Sequence, residues 1–141
     1  LDITKGREVT IPLANEMRAQ HGPAYIVEEL YKQAIVNGGD AVIESLRAVA
    51  EAKKIKELGG LVLGVDADPK IRYERAVGRG SETDTVSFET WLDQERQESN
   101  PDDPTKQDIF GALKMSDVIL LNNGTPEELF AQVEAALKKS A

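Results

Sequence analysis

Apolar residues recur at helical spacing in some stretches of this chain and as short unbroken runs in others, which predicts helices separated by brief strands. Leu13 and Met17 share a face, so Thr10 reads as a helix cap with Pro12 in the first turn, and Gly22-Pro23 as the stop. Ile26, Leu30 and Ile35, with Val27 and Ala34, predict a second helix that ends at Gly38-Gly39. These two helices form a hairpin. Ala41-Val42-Ile43 has the composition of a buried strand, and Ala48 to Leu58 returns to helical composition before Gly59-Gly60. Leu61 to Val65 is the next strand. Asp68 caps a helix with Pro69 at its first position, and Val118 to Leu121 repeats the strand pattern. Thr125-Pro126-Glu127-Glu128 combines a cap, an N1 proline and an acid three residues after the cap. A final helix therefore runs to about Lys138, with Leu129, Val133 and Leu137 inward.

Strands separated by helices imply crossover connections, hence an α/β fold with a parallel sheet flanked by helices. The stretch from Gly78 to Asp108 breaks this pattern: it is polar, acidic and rich in turn formers around Asn100-Pro101-Asp102-Asp103-Pro104, with a short helix near Phe88 to Glu98. Such an excursion reads as a lid or surface flap. The 141 residues, 40% hydrophobic, suit one ordinary core, so a single domain is expected. A formal net charge of -8 argues against nucleic acid as a partner, though a few local arginines can still hold a small anion. The absence of cysteine removes disulfides and thiolate metal sites and suits a reducing cytoplasm, and the lone His21 leaves no histidine cluster for zinc. No apolar run approaches the ~20 residues that span a bilayer, so no membrane partner is expected and the chain reads as soluble. It begins with Leu1, and a preceding segment is expected.

Ligands of open α/β sheets sit beyond the carboxyl ends of strands, which directs attention to the residues just after each one. Glu44 can hold the shell of a magnesium ion, and Arg47, three residues on, can fork onto a phosphate. The same pair also fits an exposed acid and base in a helix's first turn. Arg72, Arg75 and Arg79 fall along one helical stripe, where three guanidinium groups could stabilise the charge of a moving phosphoryl group. A solvated helix with Glu74 and Lys70 as partners is the alternative. Asp66 and Asp68 read as a turn and a cap, not a metal pair.

The block GVDADPKIRYERAVGRG, the helix TVSFETWLDQERQE and the tail SDVILLNNGTPEELFAQVEAAL resemble the second half of P-loop nucleotide kinases. They are closest to dephospho-CoA kinases and related adenylate-kinase-like proteins, and the resemblance covers most of residues 40 to 141. It implies a three-layer kinase core with a lid, divided into a substrate-side helical hairpin (1–38), core segments (40–77 and 109–141) and a lid region (78–108). By this resemblance Glu44 stands at the magnesium site and Arg47 at the acceptor's phosphate, with Arg18 as a further substrate contact. Arg75 and Arg79, and more weakly Arg72, match arginines that clamp the transferring group. Asn122 and Asn123 fall where a loop borders the adenine of ATP.

The departure from that family lies upstream. None of the eleven glycines is followed by Lys and then Ser or Thr, and Lys5-Gly6 has the order reversed. The phosphate-cradling loop and the central first strand are thus missing, and the exposed strand edges they would cover open a route to self-association. ATP and Mg2+ are accordingly expected as cofactors of a full-length protein only. Two readings follow: a fragment of a kinase that phosphorylates a nucleotide or nucleotide-like small molecule, inactive alone, or a non-catalytic module that binds an anion or a partner. The opening hairpin lacks features characteristic of dephospho-CoA kinase, so a nucleoside monophosphate is at least as fitting an acceptor.

Overall fold

The computed structural model describes residues 6–79 and 86–140. Its elements run α1 (Gly6–His21), α2 (Tyr25–Asn37), α3 (Val49–Glu57), β1 (Leu63–Asp66), α4 (Pro69–Gly78), α5 (Phe88–Gln97), α6 (Ile109–Lys114), β2 (Val118–Leu121) and α7 (Pro126–Ser140). The result is an α/β chain with a small parallel two-stranded sheet and flanking helices. The described residues divide into two units, one of residues 6–60 with 99–115 and one of 61–79, 86–98 and 116–140. The stretch expected as a lid is thereby split after Glu98. Among the described residues no helix is long and apolar enough to cross a membrane.

In the first unit α1 packs on α2, α2 on α3 and α3 on α6. Helix α1 starts at Gly6, so Thr10 lies inside it and is not its cap; Pro12 is internal. Proline removes one amide donor from the ladder, yet its fixed φ suits a helix, and packing along α2 carries α1 through it. Gly38, at φ +71°, ends α2 by donating its amide to the carbonyls of Ala34 and Ile35. Helices α3 and α6 approach so closely that a Cβ on Gly111 would sit 2.7 Å from Val49 Cγ2 and overlap the Asp108 carboxylate. The buried apolar residues are small: Val27, Ala48, Ala52 and Ala112. Arg18, Glu51, Gln107 and Asp108 are buried beside them, so polar bonds supply much of what holds this unit.

Residues 40–46 form no strand. The apolar run Ala41-Val42-Ile43 is the one expected strand that fails to appear: Val42 is 94% exposed. A strand exists only as a pairing of backbone groups with a neighbour, and here no ladder supplies one.

In the second unit β1 and β2 pair in parallel with Leu63 opposite Val118 and Asp66 opposite Leu121. Asp117 sets this register at its entry, where its carboxylate accepts from the Val62 amide (2.9 Å) and its own amide donates to the Val62 carbonyl (2.8 Å). Helix α7 lies against β2, and the Gln132 side chain both donates to and accepts from the Leu121 backbone, each at 2.9 Å. One amide side chain thus stands in for a neighbouring strand at that position. Thr125 Oγ1 accepts from the Glu128 amide, and Glu128 Oε2 accepts from the Thr125 amide, a reciprocal cap as expected. The inward face of α7 differs from the expected one by a small rotation. Ala136 is buried and Leu129 and Val133 are half-buried, whereas Leu137 is 51% exposed. Helices α4 and α5 meet through Tyr73, Phe88 and Trp91, whose rings lie 5.4 to 6.5 Å apart.

Candidate functional site

Glu44 and Arg47 follow the unpaired run of the first unit, and both side chains are exposed. Between them Ser45 sits at φ +65°, the only non-glycine residue at positive φ among those described. For an L-residue this conformation costs about 1–2 kcal/mol, so the surrounding structure must impose it. Arg47 is where the restraint is visible. Its amide donates to Glu51 Oε2 (2.8 Å) and its carbonyl accepts from the Asp108 amide (2.7 Å). Glu51 Oε2 also accepts from the Ala48 amide (3.1 Å), so the acid caps α3 in place of a side chain that Ala48 lacks. Its other oxygen accepts from Arg18 Nε at 2.8 Å, with both side chains only 3% exposed. Asp108 in turn caps α6 through the Gly111 amide and accepts from the Ser99 hydroxyl. Arg47 is therefore fixed by its backbone on both sides, while its guanidinium has no partner among the described residues. Glu44 and Asp40 line an open cavity of about 380 Å³ beside this segment, with Leu30, Ala34 and Val42 as its apolar wall.

In the second unit the arginines of α4 diverge. Asp68 starts the helix by accepting from the Lys70 amide (2.9 Å), as its spacing from Pro69 suggests. Arg72 turns to α5, where Nη2 meets Glu95 at 3.1 Å and the guanidinium lies 5.6 Å from the Trp91 ring centre. Its Nε is buried without a hydrogen-bond partner. Arg75 turns the other way and forks onto two main-chain carbonyls, donating to Asn122 (2.6 Å) and Gly124 (3.1 Å). Asn123 Oδ1 accepts from the Asp68 amide and the Asn122 amide donates to Asp66, so the loop 122–124 is stitched to the segment 66–75. Arg79, the C-cap of α4, donates its amide to the Ala76 carbonyl, while its side chain is exposed and has no partner among the described residues.

The arginines singled out in the sequence thus fall into two kinds. Arg18, Arg72 and Arg75 are bound to groups of their own unit; Arg47 and Arg79 are open to solvent. The stripe of three is real as helical spacing but does not converge, because α5 takes Arg72, the 122–124 loop takes Arg75 and Arg79 is left exposed. Neither Glu74 nor Lys70 is the partner. The spacing gave no notice of Glu51 and Asp108. Glu51 stands three residues after Ala48, the place of the acid in a capping box, but alanine at the cap hides that signal.

No group of three or more His, Asp or Glu side chains converges among the described residues. Magnesium takes one or two carboxylates and completes its shell with water and phosphate oxygens, so a single exposed Glu44 is compatible in donor type. The triphosphate of ATP is a different matter, since these 141 residues contain no Gly-x-x-x-x-Gly-Lys-Ser/Thr loop to cradle it.

No family model matches the chain. Among curated proteins it is 26% identical over 140 residues to a UPF0200 protein of Sulfurisphaera tokodaii, spanning 96% of this chain and 73% of that one. A UPF0200 protein of Pyrobaculum aerophilum is 35% identical over 78 residues, or 54% of this chain and 44% of its own length. One of Thermococcus kodakarensis is 28% identical over 140 residues, 95% of this chain and 72% of that one. The chain thus spans 44% to 73% of the length of these relatives. Its homologues are archaeal UPF0200 proteins, a shared name that states no activity.

Proposed function

We propose that this chain supplies the acceptor-side and lid elements of an ATP-dependent phosphotransferase that acts on a nucleotide or a nucleotide-like small molecule, with a P-loop kinase-like core. The observation that carries the reading is Arg47: an arginine just beyond a short apolar run, its backbone hydrogen-bonded on both sides and its guanidinium without a partner among the described residues. A planar, permanently charged fork of this kind suits a phosphate on the acceptor better than it suits solvent. Phosphoryl transfer asks little covalent chemistry of the protein and depends on positioning and charge stabilisation, roles for which Arg47 and Arg79 are available. Arg75 acts one step removed in this reading, through the loop it holds. Bound Mg-ATP would supply the phosphoryl group; by the kinase resemblance Glu44 would hold the metal and Asn122 and Asn123 would border the base, with the triphosphate cradle supplied from outside these residues.

A second reading is a non-catalytic module that binds an anion or a partner protein through the exposed Arg47 and Arg79 side chains. The two separate on one experiment. The full-length protein, incubated with Mg-ATP and a panel of nucleoside monophosphates and dephospho-CoA, should phosphorylate one acceptor. Binding of an acceptor with no transfer to any of them would favour the second reading.

A further inference from the structure

Arg47 owes its open guanidinium to a buried ion pair, and we infer that Arg18 and Glu51 form a positioning device that prepares Arg47 to bind a phosphate-class dianion. Glu51 lies four residues beyond Arg47, which precedes α3 and its cap Ala48, and it turns its carboxylate into the unit, away from that guanidinium. Its Oε2 is filled by the amides of Arg47 and Ala48, and its Oε1 by Arg18 Nε at 2.8 Å. Arg18 also offsets the carboxylate's charge. Asn15 Oδ1 accepts from Arg18 Nη1 at 3.2 Å and fixes the rotamer of the buried cation. From the other side the Asp108 amide holds the Arg47 carbonyl.

Two further features point to a ligand and not to stability alone. The strained φ of Ser45 lies two residues before Arg47, in the turn that delivers it, and strain is retained where a structure over-determines a geometry. Stability alone does not require a buried ion pair, because apolar residues of similar volume often do as well. What the pair does here that apolar side chains could not is grip two main-chain amides and leave an arginine without an internal acceptor. Preorganisation of this kind reduces the ordering cost of binding. The inference rests on the phosphotransfer reading only for the class of ligand, a phosphate group, whether free or on an acceptor.

The test is an NMR titration of the chain with inorganic phosphate at constant ionic strength, with chloride and acetate as controls. The Arg47 Nε–Hε signal should shift saturably with phosphate alone, and Arg47→Gln should abolish the response in a folded protein. Glu51→Gln should weaken it by about tenfold, the scale of one misplaced charged hydrogen bond, and speed amide exchange at Arg47 and Ala48. Should that variant fail to fold, Arg18→Met/Glu51→Leu removes the charges while keeping volume, and it should fold and still lose the response. An equal shift with chloride, or unchanged phosphate affinity in whichever variant folds, overturns the inference. A saturable phosphate response with no phosphoryl transfer by the full-length protein would leave it standing while the phosphotransfer reading fell. Transfer without any response at Arg47 would do the reverse.

Discussion

Two segments of this molecule share one sequence grammar, a short apolar run, an acid and a downstream arginine, and fold to different ends. Leu63–Asp66 becomes a strand because Val118–Leu121 pairs with it, and two of the arginines that follow, Arg72 and Arg75, are bound by their own unit. Ala41-Val42-Ile43 meets no ladder, stays irregular and largely exposed, and leads to an arginine whose amide is held by the Glu51 side chain and whose carbonyl is held by the Asp108 amide. Strand formation is thus a property of the partner, and arginine availability a property of which acceptors the fold brings within reach. In one unit main-chain ladders provide order; in the other, buried carboxylates do.

That difference can be broken most severely at Glu51. Glu51→Ala should destabilise the first unit by about 3–5 kcal/mol, because it strands Arg18 as an unpaired buried charge. Urea unfolding followed by hydrogen exchange in α1 and α3 would register the loss. In the second unit the apolar residue matters more: Leu120, 3% exposed, should cost about 2–5 kcal/mol when cut to alanine. Val42→Ala, on the run that never pairs, should change stability by less than about 0.5 kcal/mol. Equal losses at Leu120 and Val42 would mean that the exposed run is packed in solution.

Much of this architecture is legible locally. The span of β2 and the Thr125/Glu128 cap of α7 follow from residues within one turn of each other, and so does Asp68 at the start of α4. What escapes is set at a distance. Ala41-Val42-Ile43 has strand composition, but whether a partner lies alongside is not written in those residues. Thr10 and Pro12 look like a helix start, yet packing on α2 carries the helix through them. Arg72 and Arg75 are three residues apart, and only the placement of Glu95 and of the 122–124 loop shows that they face different acceptors. Glu51 reads as an ordinary helix acid until Arg18, 33 positions earlier, is found against it.

Smaller effects sharpen the contrast among the arginines. Arg75→Ala should cost about 1 kcal/mol and loosen the 122–124 loop in hydrogen exchange, since two carbonyls lose their donor. Arg79→Ala should leave stability unchanged within about 0.5 kcal/mol. The smallest effect concerns Asp103, whose carboxyl is held below its usual range by the Thr105 hydroxyl and amide and by Lys106. A depressed folded value means that this contribution is full above the ordinary carboxylate range and is lost as pH falls through the folded one. Thr105→Val should move the Asp103 titration, followed by NMR, back toward the ordinary value.

In the proposed phosphoryl transfer Arg79 stabilises the transferred charge. The most direct test is radiolabelled γ-phosphate transfer from Mg-ATP to the acceptor panel by the full-length protein and by its Arg79→Ala variant. Transfer to one acceptor is expected, with turnover falling more than about tenfold in the variant at unchanged melting temperature. No transfer to any acceptor, or equal turnover in the two proteins, would contradict it.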